Sequence, residues 1–138
     1  MKLKPAAQAF KIEKYKKPSE ALKKALQILR RPGRWIIGNL AITYDEGDTE
    51  NIGHSCDTKA EKKTAMAFCA LGAVQFVNGP AQKSAEGFLR EAGKTISNPD
   101  GFGMPTDDDI FRTNDHMGFE KTIEMFKLAI KNARKAGK

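Results

Sequence analysis

Two short clusters in this chain hold side chains that can do covalent chemistry. Phe68-Cys69-Ala70-Leu71-Gly72-Ala73 sets a thiol among small residues, and Thr113-Asn114-Asp115-His116 sets an amide, a carboxylate and an imidazole in a row. With Cys69 as nucleophile, His116 as base and Asp115 or Asn114 orienting the imidazole, they would make a cysteine-dependent catalytic site. The thiol of such a site needs a lowered pKa, supplied by a nearby histidine or a helix N-terminus. Position argues against it. A helix is expected from Asp57 or Thr58, which can cap it, to about Asn78, with Gly79-Pro80 as its stop. Cys69 then lies well inside that helix, where the helix dipole contributes little. Cys69, Ala70, Gly72 and Ala73 read as small because another helix crosses closely there, with the thiol acting as a small buried hydrophobe. Asn114 and Asp115 read as the start of the last helix, one capping its free amides and the other reaching a second loop near Trp35. His116 follows as a solvent-facing residue of the first turn.

Other chemistry-bearing residues lack the spacing that chemistry needs. His54, Cys56, Cys69 and His116 are zinc-ligand types without the Cys-x-x-Cys or His-x-x-x-His pairs of zinc sites. Asp107, Asp108 and Asp109 with Asp115 match no calcium loop, so the triple aspartate reads as a solvated acidic loop that could contact a basic partner. Gly101-x-Gly103 is not followed by the glycine and lysine of a phosphate-binding loop. No metal and no cofactor are expected. Two cysteines are too few for a disulfide scaffold and fit free thiols in a reducing compartment.

The elements that must position these residues are mostly helical. With 138 residues, 40% hydrophobic and 30% charged, the chain has the size and composition of one globular domain. Pro18-Ser19-Glu20 opens a first helix whose apolar set is Ala21, Leu22, Ala25, Leu26, Ile28 and Leu29, ended by Pro32-Gly33. Trp35, the only tryptophan, is placed to anchor that helix against the core. The β-branched and aromatic stretch 35–44, followed by Asp45-Glu46-Gly47-Asp48, suggests a strand or hairpin near residues 35–45. A third helix is expected over 81–96, then a turn-rich loop, a short helical turn from Asp107, and a last helix from about His116 to Lys135. The fold class is therefore mainly α: a compact single-domain bundle of about four helices over 18–138, preceded by a basic arm, 1–17.

Charge is segregated along the chain. Residues 1–34 carry 11 Lys/Arg against 2 acids, residues 35–119 carry 7 against 13, and residues 120–138 carry 6 against 2. The net +7 thus hides basic ends around an acidic middle. Lysine-rich termini serve solubility, and they also serve as an electrostatic footprint for nucleic acid. No apolar run approaches the ~20 residues of a membrane span, and Met1-Lys2-Leu3-Lys4-Pro5 is not backed by the apolar stretch of a signal peptide, so a cytoplasmic location and no membrane partner are expected.

Several of these residues also occur together in a known order. Ala21-Leu22 and Ala25, then Trp35, then Phe68-Cys69-Ala70-Leu71-Gly72-Ala73, then Asn114-Asp115 and a last helix with Phe126 and Ala129 resemble a family of small bacterial and bacteriophage proteins known only as a domain of unknown function. The resemblance spans about residues 20–134 and leaves out the lysine-rich arm and the insert around Thr49–Cys56. It implies a compact helical domain and a phage or bacterial source, and it implies no activity. The expectation is a non-catalytic protein that binds and modulates a host or phage macromolecule, with a protein as partner. Two alternatives stand beside it: a nucleic-acid accessory protein, and an enzyme centred on Cys69. The candidate surfaces are a basic face of Lys14, Lys16, Lys17, Lys23, Lys24, Arg30, Arg31 and Arg34, and the acidic loop Asp107–Asp109. Trp35, Cys69, Gly72, Asn114 and Asp115 are assigned to architecture.

Overall fold

The computed structural model describes residues 3–43, 54–56 and 63–138. Those residues form a mainly helical fold with a small sheet, as the periodicity predicts. In chain order come α1 (Ala6–Ala9), α2 (Pro18–Leu29), β1 (Ala41–Thr43), β2 (His54–Cys56), β3 (Ala67–Phe68), α3 (Ala70–Val77), α4 (Gln82–Ser97), α5 (Asp107–Phe111), a π-helical turn (Arg112–His116) and α6 (Phe119–Lys135). The turn expected at Asp45–Asp48 and the helix start at Asp57 or Thr58 lie outside the described residues, while His54–Cys56, within the stretch 49–57 that reads as polar loop, is strand β2.

The stretch with high β-propensity does pair, but as the middle of a three-stranded antiparallel sheet of order β2-β1-β3. Ala41 stands opposite Cys56 on one side and Phe68 on the other. This corrects the second helix. Residues 67–68, expected to be helical, are a strand, and the helix begins only at Ala70. Main-chain pairing wins there because both main-chain groups of Phe68 are bonded to the Arg34–Ile36 segment: its N–H donates to Arg34 O at 2.8 Å and its carbonyl accepts from Ile36 N at 3.0 Å. Ala65, Met66 and Phe68 are apolar for burial, which periodicity cannot distinguish from helix.

α3 is the centre of the domain, with seven of its eight residues buried. α2 and α4 pack against it, α6 packs across α2 and α4, and each of the three carries one apolar stripe. Phe68, Phe76, Phe126, Leu22, Ile28, Leu29, Leu89 and Met125 fill the core between them, and the Phe68 and Phe76 rings lie 4.6 Å apart. Residues 3–17 are laid on this core. They contain α1, Ala6 is fully buried with its N–H on Ala65 O, and Phe10, Ile12 and Tyr15 pack against the interior.

Two close approaches set the geometry of the site. A Cβ at Gly72 would sit 1.7 Å from the carbonyl oxygen of Leu40. The smallness of this segment thus admits the backbone leading into β1 and not a crossing helix. The helix crossing is elsewhere, at Gly93 of α4, where a Cβ would lie 2.9 Å from Asp109 O. Ser19 at the start of α2 donates through Oγ to Lys138 O at 2.9 Å, so α2 and α6 lie side by side and antiparallel.

Candidate functional site

The π-helical turn brings the second chemical cluster inward. An extra residue in the helical ladder rotates Asn114 toward the core, and Thr113 and Asn114 are fully buried. α6 does not start at His116, because Gly118 takes φ +92°, ψ 179°, a conformation open only to glycine, and breaks the chain direction first. Asn114 and Asp115 therefore do not cap the last helix.

Asn114 instead makes every hydrogen bond its amide allows. Its Oδ1 accepts from Trp35 Nε1 at 2.8 Å and from Ala70 N at 3.0 Å. Its Nδ2 donates to Ile36 O at 3.0 Å and to Asp115 Oδ1 at 2.7 Å. Two acceptor and two donor positions are all used, which also fixes the orientation of the amide. One side chain thus joins the π turn, the Trp35–Ile36 segment and the start of α3. Trp35 adds a tilted ring contact with Phe119, centroids 5.1 Å apart.

Cys69 is the N-cap of α3 and not an interior residue. Its Sγ accepts from Gly72 N at 3.5 Å. Helix-start amides favour a thiolate, but burial outweighs them. Desolvation, with the negative charge of Asp115 adding to it, pushes the Cys69 thiol up to about 11 against the pull of the Gly72 and Leu71 amides. At neutral pH it is a thiol. Cys69 and Asp115 share a cavity of about 240 Å³ with Gly38, Asn39, Leu40 and Phe111, whereas His116 is exposed and does not line it. The structure brings three of the four candidate catalytic residues together and leaves out the base.

The acidic and basic surfaces are reassorted by the fold. Asp109 is no loop carboxylate: it is buried, accepts from Thr106 N at 2.9 Å in a capping box at the start of α5, and pairs with Arg112 at 3.0 Å. Asp107 pairs with Arg90 at 3.2 Å, and Asp108 is exposed. Arg34 leaves the basic face altogether. It is 4% exposed, with Nη1 donating to Lys4 O and Met66 O, so it clasps the N-terminal segment to the strand before α3. Lys24 donates to Gln27 Oε1 and stands 6.0 Å over the Phe10 ring. Lys14 borders a separate cleft beside Val77–Pro80, and Lys16 and Lys17 are exposed.

Lys23, Arg30 and Arg31 do converge, with cations that come from the other end of the chain. A groove of about 1140 Å³ runs along the seam of α2 and α6. Lys23, Gln27, Arg30 and Arg31 form one wall, Lys127, Lys131, Arg134 and Lys135 the other, and Leu26 and Ile130 the floor. Seven of the ten lining residues are cationic and none is acidic. Among the described residues none of the seven is ion-paired. Arg30, Arg31, Arg134 and Lys135 stand at helix C-termini, where the dipole offsets part of their repulsion; Lys23, Lys127 and Lys131 have no such compensation. The α6 wall was missed as a site residue set, although its spacing of 127, 131, 134 and 135 marks one helical face while Glu120 and Glu124 occupy the opening turns.

Among the described residues no group of three or more His, Cys, Asp or Glu is placed to hold a metal ion, and no helix is long and apolar enough to cross a membrane. The side chains of His54 and Cys56 lie outside the described residues. Comparison with protein-family models, curated proteins and solved structures finds no match to this chain.

Proposed function

We propose that this is a non-catalytic binding protein of a bacterial or phage-infected cytoplasm that holds the phosphate backbone of a nucleic acid in the α2/α6 groove. The observation that carries this is the concentration of seven unneutralised cations in one groove without a carboxylate. Surfaces built for solubility alone intersperse both signs. A same-sign cleft focuses its field and suits a polyanion, and duplex DNA presents one negative charge per ~1.7 Å of axis. The groove holds no aromatic side chain on which to stack a base and only Gln27 as an uncharged polar group, so the contacts are to phosphate and carry little sequence information. The Cys69 cavity supports architecture, because its thiol stays protonated at neutral pH. The resemblance to the phage and bacterial family rests on the order Trp35, Cys69–Ala73, Asn114-Asp115 and adds no activity.

Fluorescence anisotropy of a labelled duplex, titrated with protein at several salt concentrations, tests the reading. Neutralising about six phosphates gives a slope of about −5 in log K against log salt. The K131E/R134E variant should bind at least tenfold more weakly at low salt and lower the slope by about 2. Absence of binding at low salt, or binding with a flat salt dependence, would refute it and return preference to a protein partner.

A further inference from the structure

The loop between α4 and α5 carries the two most exposed large apolar side chains among the described residues. Phe102 is 104% exposed and Met104 83%. The loop is nonetheless built firmly. Gly101 N donates to Asn98 O at 3.1 Å, Lys94 Nζ donates to Gly103 O at 2.6 Å, and the Thr106–Asp109 capping box closes its far end. An ordered loop that holds a phenylalanine and a methionine in water is preorganised for a partner, since little freedom is left to lose on binding. Its free charge is mostly acidic, although Arg90 and Arg112 pair with Asp107 and Asp109 and the Lys94 ammonium lies on the Gly103 carbonyl. Residues 95–111 contain four aspartates and no lysine or arginine, and Asp100 and Asp108 are exposed without an ion pair among the described residues.

We propose that this acidic, apolar-tipped loop docks into the α2/α6 groove of a second copy of the chain. The occupant is argued from complementarity in two properties at once. The groove is lined by seven cations and no carboxylate, where the loop and the start of α5 offer the exposed, unpaired carboxylates of Asp100 and Asp108. The aliphatic stems of lysine and arginine above Leu26 and Ile130 offer the greasy surface that Phe102 and Met104 need, and guanidinium groups favour the face of an aromatic ring. Loop and groove are different patches, so the contact is head-to-tail: it leaves one loop and one groove free at the ends and extends into a ring or chain. The same groove is offered to nucleic acid, so the two occupants compete, and self-association masks the site at high protein concentration.

Sedimentation velocity on the full chain across a concentration series, at low and high salt, tests this. The wild type should grow in mass with concentration at low salt and remain monomeric at high salt. The F102S/M104S variant should self-associate at least tenfold more weakly while keeping the duplex affinity of the wild type. K131E/R134E should be monomeric as well. Mixing the two variants should restore a 1:1 dimer that grows no further, because one supplies the intact groove and the other the intact loop. Monomeric wild type throughout, unchanged association of F102S/M104S, or failure of the mixture to pair would overturn the proposal. Because F102S/M104S leaves the groove intact, a loss of self-association alone does not touch the nucleic-acid reading. If the wild type self-associates but monomeric F102S/M104S, whose groove is unmasked, fails to bind duplex, that reading alone is sunk.

Discussion

Asn114→Ala removes the one side chain that ties three segments together, and its cost can be worked out. Four hydrogen bonds disappear, each worth a net ~0.5–1.5 kcal/mol. Ala70 N is fully buried and gains no other partner, which adds ~1–3 kcal/mol for an orphaned donor. Trp35 is only half-buried, so its indole N–H recovers part of its loss from water. The expected total is about 3–9 kcal/mol, in the lower part of that range once water satisfies the indole N–H, against a domain stability of ~5–15 kcal/mol. Urea unfolding followed by the fluorescence of Trp35, which reports from the broken bond itself, should show the midpoint falling by about 2 M or more. Asn114→Asp keeps the shape and both acceptor bonds but presents a carboxylate to Ile36 O and to Asp115. It should be destabilising at neutral pH and recover as the pH falls and the new group protonates. A double-mutant cycle with Trp35→Phe, with all four proteins followed by far-UV circular dichroism because that variant lacks the tryptophan, should give a coupling of about 1 kcal/mol. A loss below about 1 kcal/mol for Asn114→Ala, or an Asn114→Asp protein as stable as the wild type at neutral pH, would refute the reasoning.

Two further predictions concern the same region and a control. Gly72→Ala drives a methyl group into Leu40 O and should cost about 3 kcal/mol or more, whereas Gly87→Ala in α4 meets nothing nearer than 4.0 Å and should stabilise by about 0.5–1 kcal/mol. Paired thermal melts decide this, and equal effects would show the Gly72 approach to be unimportant. Cys69 ionises near 9.0 in the unfolded chain and about 11 in the folded one, so its contribution to stability is complete below pH 9 and is lost as the pH rises toward 11. Urea melts at pH 8 and pH 10.5 should therefore show a drop in the wild type larger than in Cys69→Ala by about 2 kcal/mol. Iodoacetamide should leave Cys69 unmodified at neutral pH until denaturant is added; rapid labelling of the folded protein would reopen the cysteine-enzyme reading.

The amphipathic helices were legible because period alone specifies them. The stripes of α2, α4 and α6 repeat at helical spacing, and their inner faces are buried as that spacing requires. The second helix was misread because residues 65–77 are apolar throughout. A continuous apolar run is compatible with a buried strand feeding a buried helix, and only the pairing of Phe68 with the Arg34–Ile36 segment chooses between them. The same ambiguity moved Cys69 from a helix interior to a helix start.

By itself the sequence determined residue types, their periodicity and the separation of charge, and from these follow a mainly helical domain and two basic ends. Tertiary structure decided which of those charges meet. Lys23 and Arg31 lie about a hundred residues from Lys127 and Arg134, and only the antiparallel packing of α2 on α6 makes one groove of them. Arg34 and Asp109, charged residues within basic and acidic runs, were withdrawn into the interior because buried backbone groups needed partners. Asn114 followed the same logic. Hydrogen-bond satisfaction in a desolvated interior depends on neighbours distant in sequence, and no local pattern records it.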